Sequence, residues 1–578
     1  MKNITIKGFI ALGFVLIISG CTKMLNFTPQ TEISDAVYWN TPADFKAATG
    51  QFYNDITHPW FQADVTADIL VGSGTASITS GAQVGDIQVP TSDGWGTSYT
   101  KIRTINNLLA KTETFAKPAD IKQYIAEAHF FRAWQYYLLY QKYGGVPLIT
   151  KVLSVNSPEL LAPRETNENT VNFILAELDL AIPDLPLQRN ISAIDNGRIS
   201  HQAAQALKAR VCLFEATWRK YHNSGEYNTL LDKAIASCDS IINSGDFQIF
   251  NRADKLGNSS YKYLFILENA QCNPGGLTKI DNKEYVFFKK HDGTFGLPIT
   301  GGTGVWLAPF RKLIDMFVCK NGLPITYNGQ TNPQFLGYKA YRSSEMKNRD
   351  LRLTTLVRRD SIVYYTAWGA KSLWGNPNPP TAPNITAIGV EESTGYWGDK
   401  LASERYILDQ SLYGIDYPLI RYADVLLMSA EAKIERNGQI SDDDLNKTVN
   451  LLRNRAGVAN LTNGLLAGTG LNMRDEIRRE RCCELYFEDL RLYDLKRWHI
   501  VQAAMTEDIL GIYLGTDGPW AQQLNSTGKL ATNSDGFYLL TPRSKRQWKD
   551  DFDYSPIAYD QLKLNPNLKQ NPGYPDGR

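Results

Sequence analysis

The sequence predicts a mainly α-helical protein in which a scaffold of helix pairs supports an irregular, loop-rich half with short strands. Helical periodicity is clearest from Leu419 to Trp498, where one apolar face carries Ile420, Ala423, Leu427, Ala430 and Ile434. Two amphipathic helices joined by a short polar turn fill about 34 residues there, the length of a tetratricopeptide (TPR) repeat. Between residues 251 and 418 this periodicity weakens, and Gly, Pro, Asn and aromatic residues accumulate. These observations together predict a TPR-like scaffold that holds irregular segments.

Local signals place the ends of the helices. Gly438 and Gly457 end the two helices of the clearest repeat, because glycine adopts the left-handed cap at little steric cost. Ser441 opens the second of these helices, with Asp444 in capping-box spacing. Thr41-Pro42 starts the first helix of the chain, with proline in the first turn. Further helices are predicted over residues 99–114, 120–143, 167–181 and, as a pair, 202–221 and 230–245.

The irregular half is predicted to contain a few regular pieces. Glu284–Phe288 and Ser361–Tyr365 alternate in the way that is typical of strands, and Pro309–Cys319 has helical character. We therefore expect one domain over residues 36–578. Its scaffold covers about 36–250 and 419–500, and its irregular half covers about 251–418 and 501–578.

The N-terminus predicts a lipid anchor. Lys2 and Lys7 precede an apolar run, Gly8–Ile18, that is too short to span a bilayer as a helix. The run leads into Ile18-Ser19-Gly20-Cys21, which resembles a bacterial lipobox: small residues beside the cleavage point and a thiol that takes up a diacylglyceryl group. We expect residues 1–20 to be a lipoprotein signal peptide, Cys21 to be lipidated, and residues 21–35 to include a tether.

Composition and charge exclude several classes of partner. The 578 residues include 61 basic and 60 acidic side chains, so no global field favours nucleic acid. The cysteines show no CxxC spacing, the six histidines are scattered along the chain, and neither HExxH nor GxSxG occurs. We therefore expect no metal, no cofactor and no catalysis, although a glycosidase pair of carboxylates remains an alternative.

Two further features are predicted to be structural. In the charged run from Arg474 to Arg497 acidic and basic residues stand three apart, which predicts salt bridges along the helices: Asp475 with Arg478, Glu476 with Arg479, Glu488 with Arg491 and Asp494 with Arg497. Cys212 and Cys238 are predicted to be buried thiols on helices. Cys482 and Cys483 are adjacent on one helix, so at most one of them is expected to face the core.

Several motifs occur in the order found in a known family. Besides the lipobox these are PQTEISDAVYW (29–39), AEAHFFRAWQYYLLYQKYGGVPL (126–148), KLIDMFVCKNGLPI (312–325), NRDLRL (348–353), the Leu419–Trp498 stretch and LKLNPNLKQNPGY (562–574). The chain resembles the SusD/RagB family of outer-membrane nutrient-binding lipoproteins over nearly its whole length. The resemblance implies about four TPR-like helix pairs and a Gram-negative, lipid-anchored, cell-surface protein. It also implies capture of oligosaccharides for a SusC-like TonB-dependent transporter. Thr22-Lys23-Met24-Leu25 lack the acidic residues that usually follow the lipidated cysteine in surface-exposed members.

Sugar rings have apolar C–H faces and hydroxyl rims, so a glycan site combines exposed aromatic rings with polar side chains at their edges. The irregular segments supply that mixture, and the candidate ligand-binding residues are Trp60, Asp64, Tyr365, Trp368, Lys371, Trp374, Asn376, Tyr396, Trp397 and Asp399. Peptide import on the same scaffold is the main alternative to glycan capture.

Overall fold

The helices form the larger part of the structure, which is a computed structural model. It describes residues 38–56, 62–71, 85, 87–291, 307–338, 344–353, 394–396, 398, 400–401, 414–515 and 531–577. Helices α1 to α9 are Pro42–Asn54, Gln62–Val65, Trp95–Thr112, Lys122–Tyr143, Asn167–Ala181, His201–His222, Asn228–Ser244, Ala253–Leu256 and Ser260–Tyr263. Helices α10 to α18 are Arg311–Met316, Tyr422–Asn437, Asp442–Lys447, Val449–Ala456, Asn463–Leu466, Met473–Leu485, Arg491–Arg497, Val501–Met505 and Tyr559–Leu564.

The strands are short and pair into four small antiparallel sheets among the described residues. Strands β1 to β9 are Leu70–Val71, Tyr285–Lys289, Ala308–Pro309, Thr326–Tyr327, Gln330–Thr331, Tyr417–Arg421, Ile509–Tyr513, Ala531–Thr532 and Phe537–Thr541. β1 pairs with β3, β2 with β6 and β4 with β5, while β7, β9 and β8 form a sheet of three. The predicted strand near Glu284–Phe288 is therefore present as β2, one residue later.

Consecutive long helices pack side by side. α6 packs against α7, α4 against α5, and α3 against α4, and the later helix α11 lies on α7 and α15. The mainly α, TPR-like fold class is confirmed. The prediction at Ile420 is wrong in detail, since this residue belongs to β6 and α11 begins only at Tyr422. The described helices include none that is long and apolar enough to cross a membrane.

The predicted caps are present. Thr41 and Asp44 form a capping box at the start of α1, and the Ser441 hydroxyl accepts a hydrogen bond from the Asp444 N–H at the start of α12. Gly438 and Gly457 end α11 and α13 in the left-handed region, at φ 75° and 67°. These local signals act through a few neighbouring residues, which is why they can be recognised from sequence alone.

Two large hydrophobic cores divide the molecule. One lies within the helical scaffold and contains the buried aromatic side of α4 together with Trp95 and Cys212. The other lies in the irregular half and contains Tyr396 and both Cys482 and Cys483. The expectation that only one of these adjacent cysteines faces the core is wrong: both are buried, with 5% and 2% of their surface exposed. α15 is covered on more than one side, so two directions about 100° apart both point into protein.

A network of buried ion pairs joins the two halves. Glu484 on α15 accepts hydrogen bonds from the guanidinium groups of Arg352, Arg421 and Arg455, and Arg421 also pairs with Glu284 and Glu488. The predicted pairs of Glu476 with Arg479 and of Asp494 with Arg497 are present. Arg478 and Arg491 instead pair with Glu435 and Asp68, far away in sequence. Most of the charged run is therefore interior rather than solvated.

Candidate ligand-binding site

Several stretches that lie outside the described residues begin or end close together. Val71, after which residues 72–84 follow, pairs with Ala308, which comes shortly after residues 292–306. The Gly398 N–H donates to the Leu307 carbonyl at 2.9 Å, and the Ile512 N–H donates to the Thr394 carbonyl at 2.9 Å. Chain positions that are hundreds of residues apart thus meet beside the β7–β9–β8 sheet.

Three partly exposed aromatic rings lie beside this meeting point. The ring centroid of Tyr338 is 4.9 Å from that of Phe537 and 5.8 Å from that of Tyr513. The Tyr513 and Phe537 centroids are 5.3 Å apart. Each ring is neither fully buried nor fully exposed. We call Tyr338, Tyr513 and Phe537 the aromatic cluster.

Arg311 on α10 supports the aromatic cluster. Its guanidinium carbon lies 4.1 Å from the centroid of Tyr338, a cation–π contact, and 5.0 Å from that of Phe537. Asp315 fixes the guanidinium through a hydrogen bond of 2.9 Å from Nε, and the Tyr338 hydroxyl donates to the same carboxylate at 3.3 Å. The cluster therefore combines ring surfaces with charged hydrogen-bonding groups.

A cavity of about 280 Å³ lies beside the aromatic cluster and is lined by Arg311 and Asp315, both of which contact Tyr338. Its lining mixes the charged side chains of Asp68, Lys312, Glu507, Asp508 and Arg546 with apolar ones from Phe310, Ala504, Ile509 and Leu510. The Lys312 ammonium lies 2.9 Å from Asp68 and 2.6 Å from Glu507, so opposite charges largely cancel. Such a lining offers donors and acceptors to a neutral, hydroxyl-rich ligand without a strong net field.

The carboxylate of Asp68 is unsuited to general-acid chemistry. Burial alone would raise its pKa, but the cations of Arg491 and Lys312 outweigh burial and hold that pKa well below its usual range. A general acid for glycoside hydrolysis needs a raised pKa instead. This buried acid of the cavity therefore remains ionised and serves as an ion-pair partner.

The structure corrects the interpretation of Tyr396 as a surface platform. Its side chain is completely buried. Its hydroxyl accepts a hydrogen bond of 2.7 Å from Arg311 and donates to Glu345 at 3.1 Å. Tyr396 thus lies behind the aromatic cluster and holds Arg311, the cation under Tyr338. Tyr396 is therefore no longer a candidate for direct contact with a ligand.

Asp64 is also corrected, because it is completely buried. Its two carboxylate oxygens accept hydrogen bonds of 2.9–3.2 Å from the backbone N–H groups of residues 488, 489, 490 and 491. Asp64 therefore supplies hydrogen-bond acceptors to the backbone N–H groups at the N-terminal end of α16, although it is distant from them in sequence. Burial raises the pKa of Asp64 to about 6 and that of the neighbouring Asp489 to about 7, the latter with a further contribution from the charge of Asp64.

The remaining predicted residues lie outside the described part of the chain: Cys21, Trp60, Tyr365, Trp368, Lys371, Trp374, Asn376, Trp397 and Asp399. They stay predictions. Sequence reasoning missed the aromatic cluster, whose members come from three separate segments. The available signal was weak: Tyr338 lies in the aromatic-rich irregular half, but nothing in the sequence links it to Tyr513.

A second depression, of about 790 Å³, lies on the scaffold between α3, the loop after α4 and the C-terminal α18. Its lining is mostly apolar and includes exposed side chains, with Val155 90% and Leu564 73% exposed. Trp95 and Tyr99 form part of its wall. We call this depression the apolar groove.

This protein is thus of the class in which a helical-repeat scaffold presents aromatic and polar groups from irregular segments. Family comparisons agree with this class. The SusD family model matches residues 268–574, more than half of the chain, and a second model, described as "Starch-binding associating with outer membrane", matches residues 42–213. The chain belongs to the SusD family.

Individual relatives have low sequence identity to this chain, but the matches extend over most of both chains. A SusD-like protein of Formosa agariphila is 23% identical over 86% of this chain and 91% of its own, and a SusD-like protein of Bacteroides ovatus is 23% identical over 84% and 80%. Among solved structures, a SusD-like carbohydrate-binding protein of Bacteroides fragilis has a TM-score of 0.71 at 22% identity and covers 92% of this chain and 100% of its own. A surface glycan-binding protein A of Bacteroides fluxus has a TM-score of 0.56 at 21% identity, over 93% and 100%.

Proposed function

We propose that this protein is a cell-surface, lipid-anchored glycan-binding subunit that captures oligosaccharides and delivers them to a SusC-like TonB-dependent transporter without catalysis. Membership of the SusD family supports this proposal, and so does the starch-binding, outer-membrane description of the second family model. The observation that carries it is the aromatic cluster beside a charge-balanced cavity, next to Thr394, which directly follows the aromatic-rich residues 354–393.

The chemistry of the aromatic cluster suits a sugar. Ring faces offer contacts to the C–H faces of a pyranose, and the partly exposed Asp315 carboxylate and the Tyr338 hydroxyl offer hydrogen-bonding groups to its hydroxyl rim. Capture followed by release needs no nucleophile and no general acid. The predicted residues Trp368, Trp374 and Trp397, with Lys371, Asn376 and Asp399 at their edges, would extend this surface.

Replacing Tyr338 with alanine is expected to weaken oligosaccharide binding about 5- to 30-fold, because a ring contact and its hydroxyl are lost together; this corresponds to about 1–2 kcal/mol. Isothermal calorimetry with a panel of soluble oligosaccharides measures the change. Tyr338→Phe is the matched control, since it keeps the ring over Arg311 and removes only the hydroxyl. If the alanine variant binds as tightly as the wild type, Tyr338 does not contact the glycan.

The apolar groove supports peptide binding as a second candidate function, because its exposed aliphatic side chains suit apolar peptide residues. The same calorimetry with oligopeptides separates the two functions. For glycan capture we expect a response to sugars that a Leu564→Asp variant retains. A response to peptides alone, abolished by Leu564→Asp, would establish the alternative. Release of reducing ends by the purified protein would instead establish the glycosidase alternative.

The anchor is proposed from the sequence at Cys21. Replacing Cys21 with alanine is expected to abolish labelling by radioactive palmitate and to release the protein from membranes, because the thiol is the acceptor of the lipid. Cys212→Ala, at a buried thiol of α6, is the control and should remain labelled. Persistent labelling of the Cys21 variant would refute the anchor. Co-purification of a TonB-dependent barrel with the membrane-bound wild type would support the proposed partner.

A further inference from the structure

Two histidines and one aspartate from distant parts of the chain meet on the scaffold, away from the aromatic cluster. His222 is the last residue of α6, His499 follows α16, and Asp553 lies six residues before α18. One potential ligand atom from each residue lies within 4.8 Å of those of the other two. The rings of His222 and His499 have centroids 4.4 Å apart.

His222 is held with one nitrogen facing Asp553. Its ring stacks on Trp218 with centroids 4.2 Å apart, and Trp218 stacks in turn on Tyr554. Its Nδ1 lies 3.0 Å from the Trp218 carbonyl oxygen, which can only accept, so Nδ1 carries a proton. Its Nε2 lies 3.1 Å from Oδ2 of Asp553. Two lone pairs would face each other there unless a proton or a metal ion lies between them.

The carboxylate of Asp553 has an oxygen that could bind a cation. Its Oδ1 is buried and has no hydrogen-bond partner among the described residues. A buried carboxylate oxygen without a donor costs free energy that a bound cation would recover. His499 completes the set from an exposed position with a positive φ of 54°, a conformation that turns the chain sharply after α16.

We propose that His222 Nε2, His499 and the Asp553 carboxylate form a binding site for a zinc-class divalent cation. Two imidazoles and one carboxylate are a donor set that zinc accepts, and a water molecule would fill the fourth tetrahedral position. The Nδ1 hydrogen bond of His222 to a carbonyl is the arrangement that orients histidine ligands in zinc proteins. Tetrahedral zinc places its ligand atoms about 3.3–3.5 Å apart, so only a small movement of the exposed His499 is needed.

The ion would join three elements. It would tie the segment that begins at Asp553 to the end of α6 and to the turn after α16, which places it in a structural role. Lys496, three residues before His499, is buried, and the charge of Asp553 acts on it. Its repulsion limits the affinity, so we expect binding in the micromolar range rather than the much tighter binding of an all-cysteine site.

The test is a titration of the full-length mature protein, purified without a polyhistidine tag, with Zn²⁺ against a chromophoric chelator and with Co²⁺ by visible absorption. We expect one equivalent of metal, tetrahedral Co²⁺ bands, and a melting temperature raised by about 2–4 °C at saturating zinc. His499→Ala and Asp553→Asn are expected to weaken binding at least tenfold. Neither removes a group from the core, so both variants should fold.

Two matched controls accompany these variants. Asp551→Asn changes an exposed carboxylate two residues from Asp553, and His201→Ala removes a histidine at the other end of α6; both should bind as the wild type does. No saturable binding by the wild type would overturn the proposal. Equal binding by the wild type and the His499 and Asp553 variants would overturn it too, because the metal would then bind elsewhere.

Discussion

Replacing Glu484 with alanine is expected to lower the free energy of unfolding by about 3–5 kcal/mol. The side chain is completely buried, and its carboxylate accepts hydrogen bonds from Arg352, Arg421 and Arg455. Removing it leaves three guanidinium groups buried with one partner fewer. Burial opposes the charged form of Glu484, yet the three arginines favour it and hold its pKa well below the usual range.

The position of Glu484 explains why the effect extends beyond one contact. Arg352 belongs to the irregular half, Arg421 to β6 and Arg455 to α13, so this carboxylate connects elements on both sides of the boundary between the cores. We expect loss of the network to loosen the irregular half relative to the scaffold. Binding at the aromatic cluster should weaken as well, because the support of that cluster belongs to the irregular half.

Urea unfolding followed by circular dichroism measures the loss, with Glu484→Gln as a variant that keeps the size and removes the charge. Asp443→Asn is the control, because it breaks a solvent-exposed ion pair: the side chains of Lys447 and Asp443 are 65% and 73% exposed. That control should change stability by less than about 1 kcal/mol. A Glu484 variant as stable as the Asp443 variant would contradict the role of the network.

Asp64→Ala is expected to cost about 2–4 kcal/mol of stability. Its two oxygens accept from four backbone N–H groups at the start of α16, and alanine leaves these buried donors without an acceptor. Asp64→Asn should give an intermediate loss, because it keeps one acceptor oxygen of the two. Thermal unfolding measures both variants.

The same pair of variants separates the structural role of Asp64 from a role in binding. We expect the folded fraction of Asp64→Asn to bind oligosaccharide with the affinity of the wild type. An asparagine variant of unchanged stability and weakened glycan affinity would restore the original interpretation, in which Asp64 forms the edge of the ligand site. The complete burial of its side chain is the reason that we expect the other result.

Much of the fold was predictable because its signals are local. The apolar faces of α6 and α11, the N-terminal caps at Thr41 and Ser441 and the glycine ends at 438 and 457 depend on residues within one or two turns. The order of motifs along the chain identified the family, and the comparisons confirmed it. The lipobox at Cys21 is equally local and stays a prediction.

What sequence reasoning misjudged depends on contacts between distant segments. Arg491 has Glu488 three residues away, yet it pairs with Asp68, because α16 packs against α2 and the buried carboxylate of Asp68 needs a cation. Asp64 and Tyr396 are residue types that often contact sugars, but here both are buried. The segments that cover them are distant in sequence, so their proximity cannot be recognised from the sequence. The aromatic cluster was missed for the same reason.

The helical scaffold and the family can be recognised from the sequence, and the anchor can be predicted from it, since periodicity, caps and ordered motifs lie in consecutive residues. Tertiary packing is needed to know which charges are interior, which aromatic rings come together, and that two of the scattered histidines, His222 and His499, meet at Asp553. Burial and proximity are properties of the packed chain: Tyr338 and Tyr513 become neighbours only when α10, β7 and β9 assemble. The ligand-binding surface is therefore defined by packing between segments rather than by any single motif.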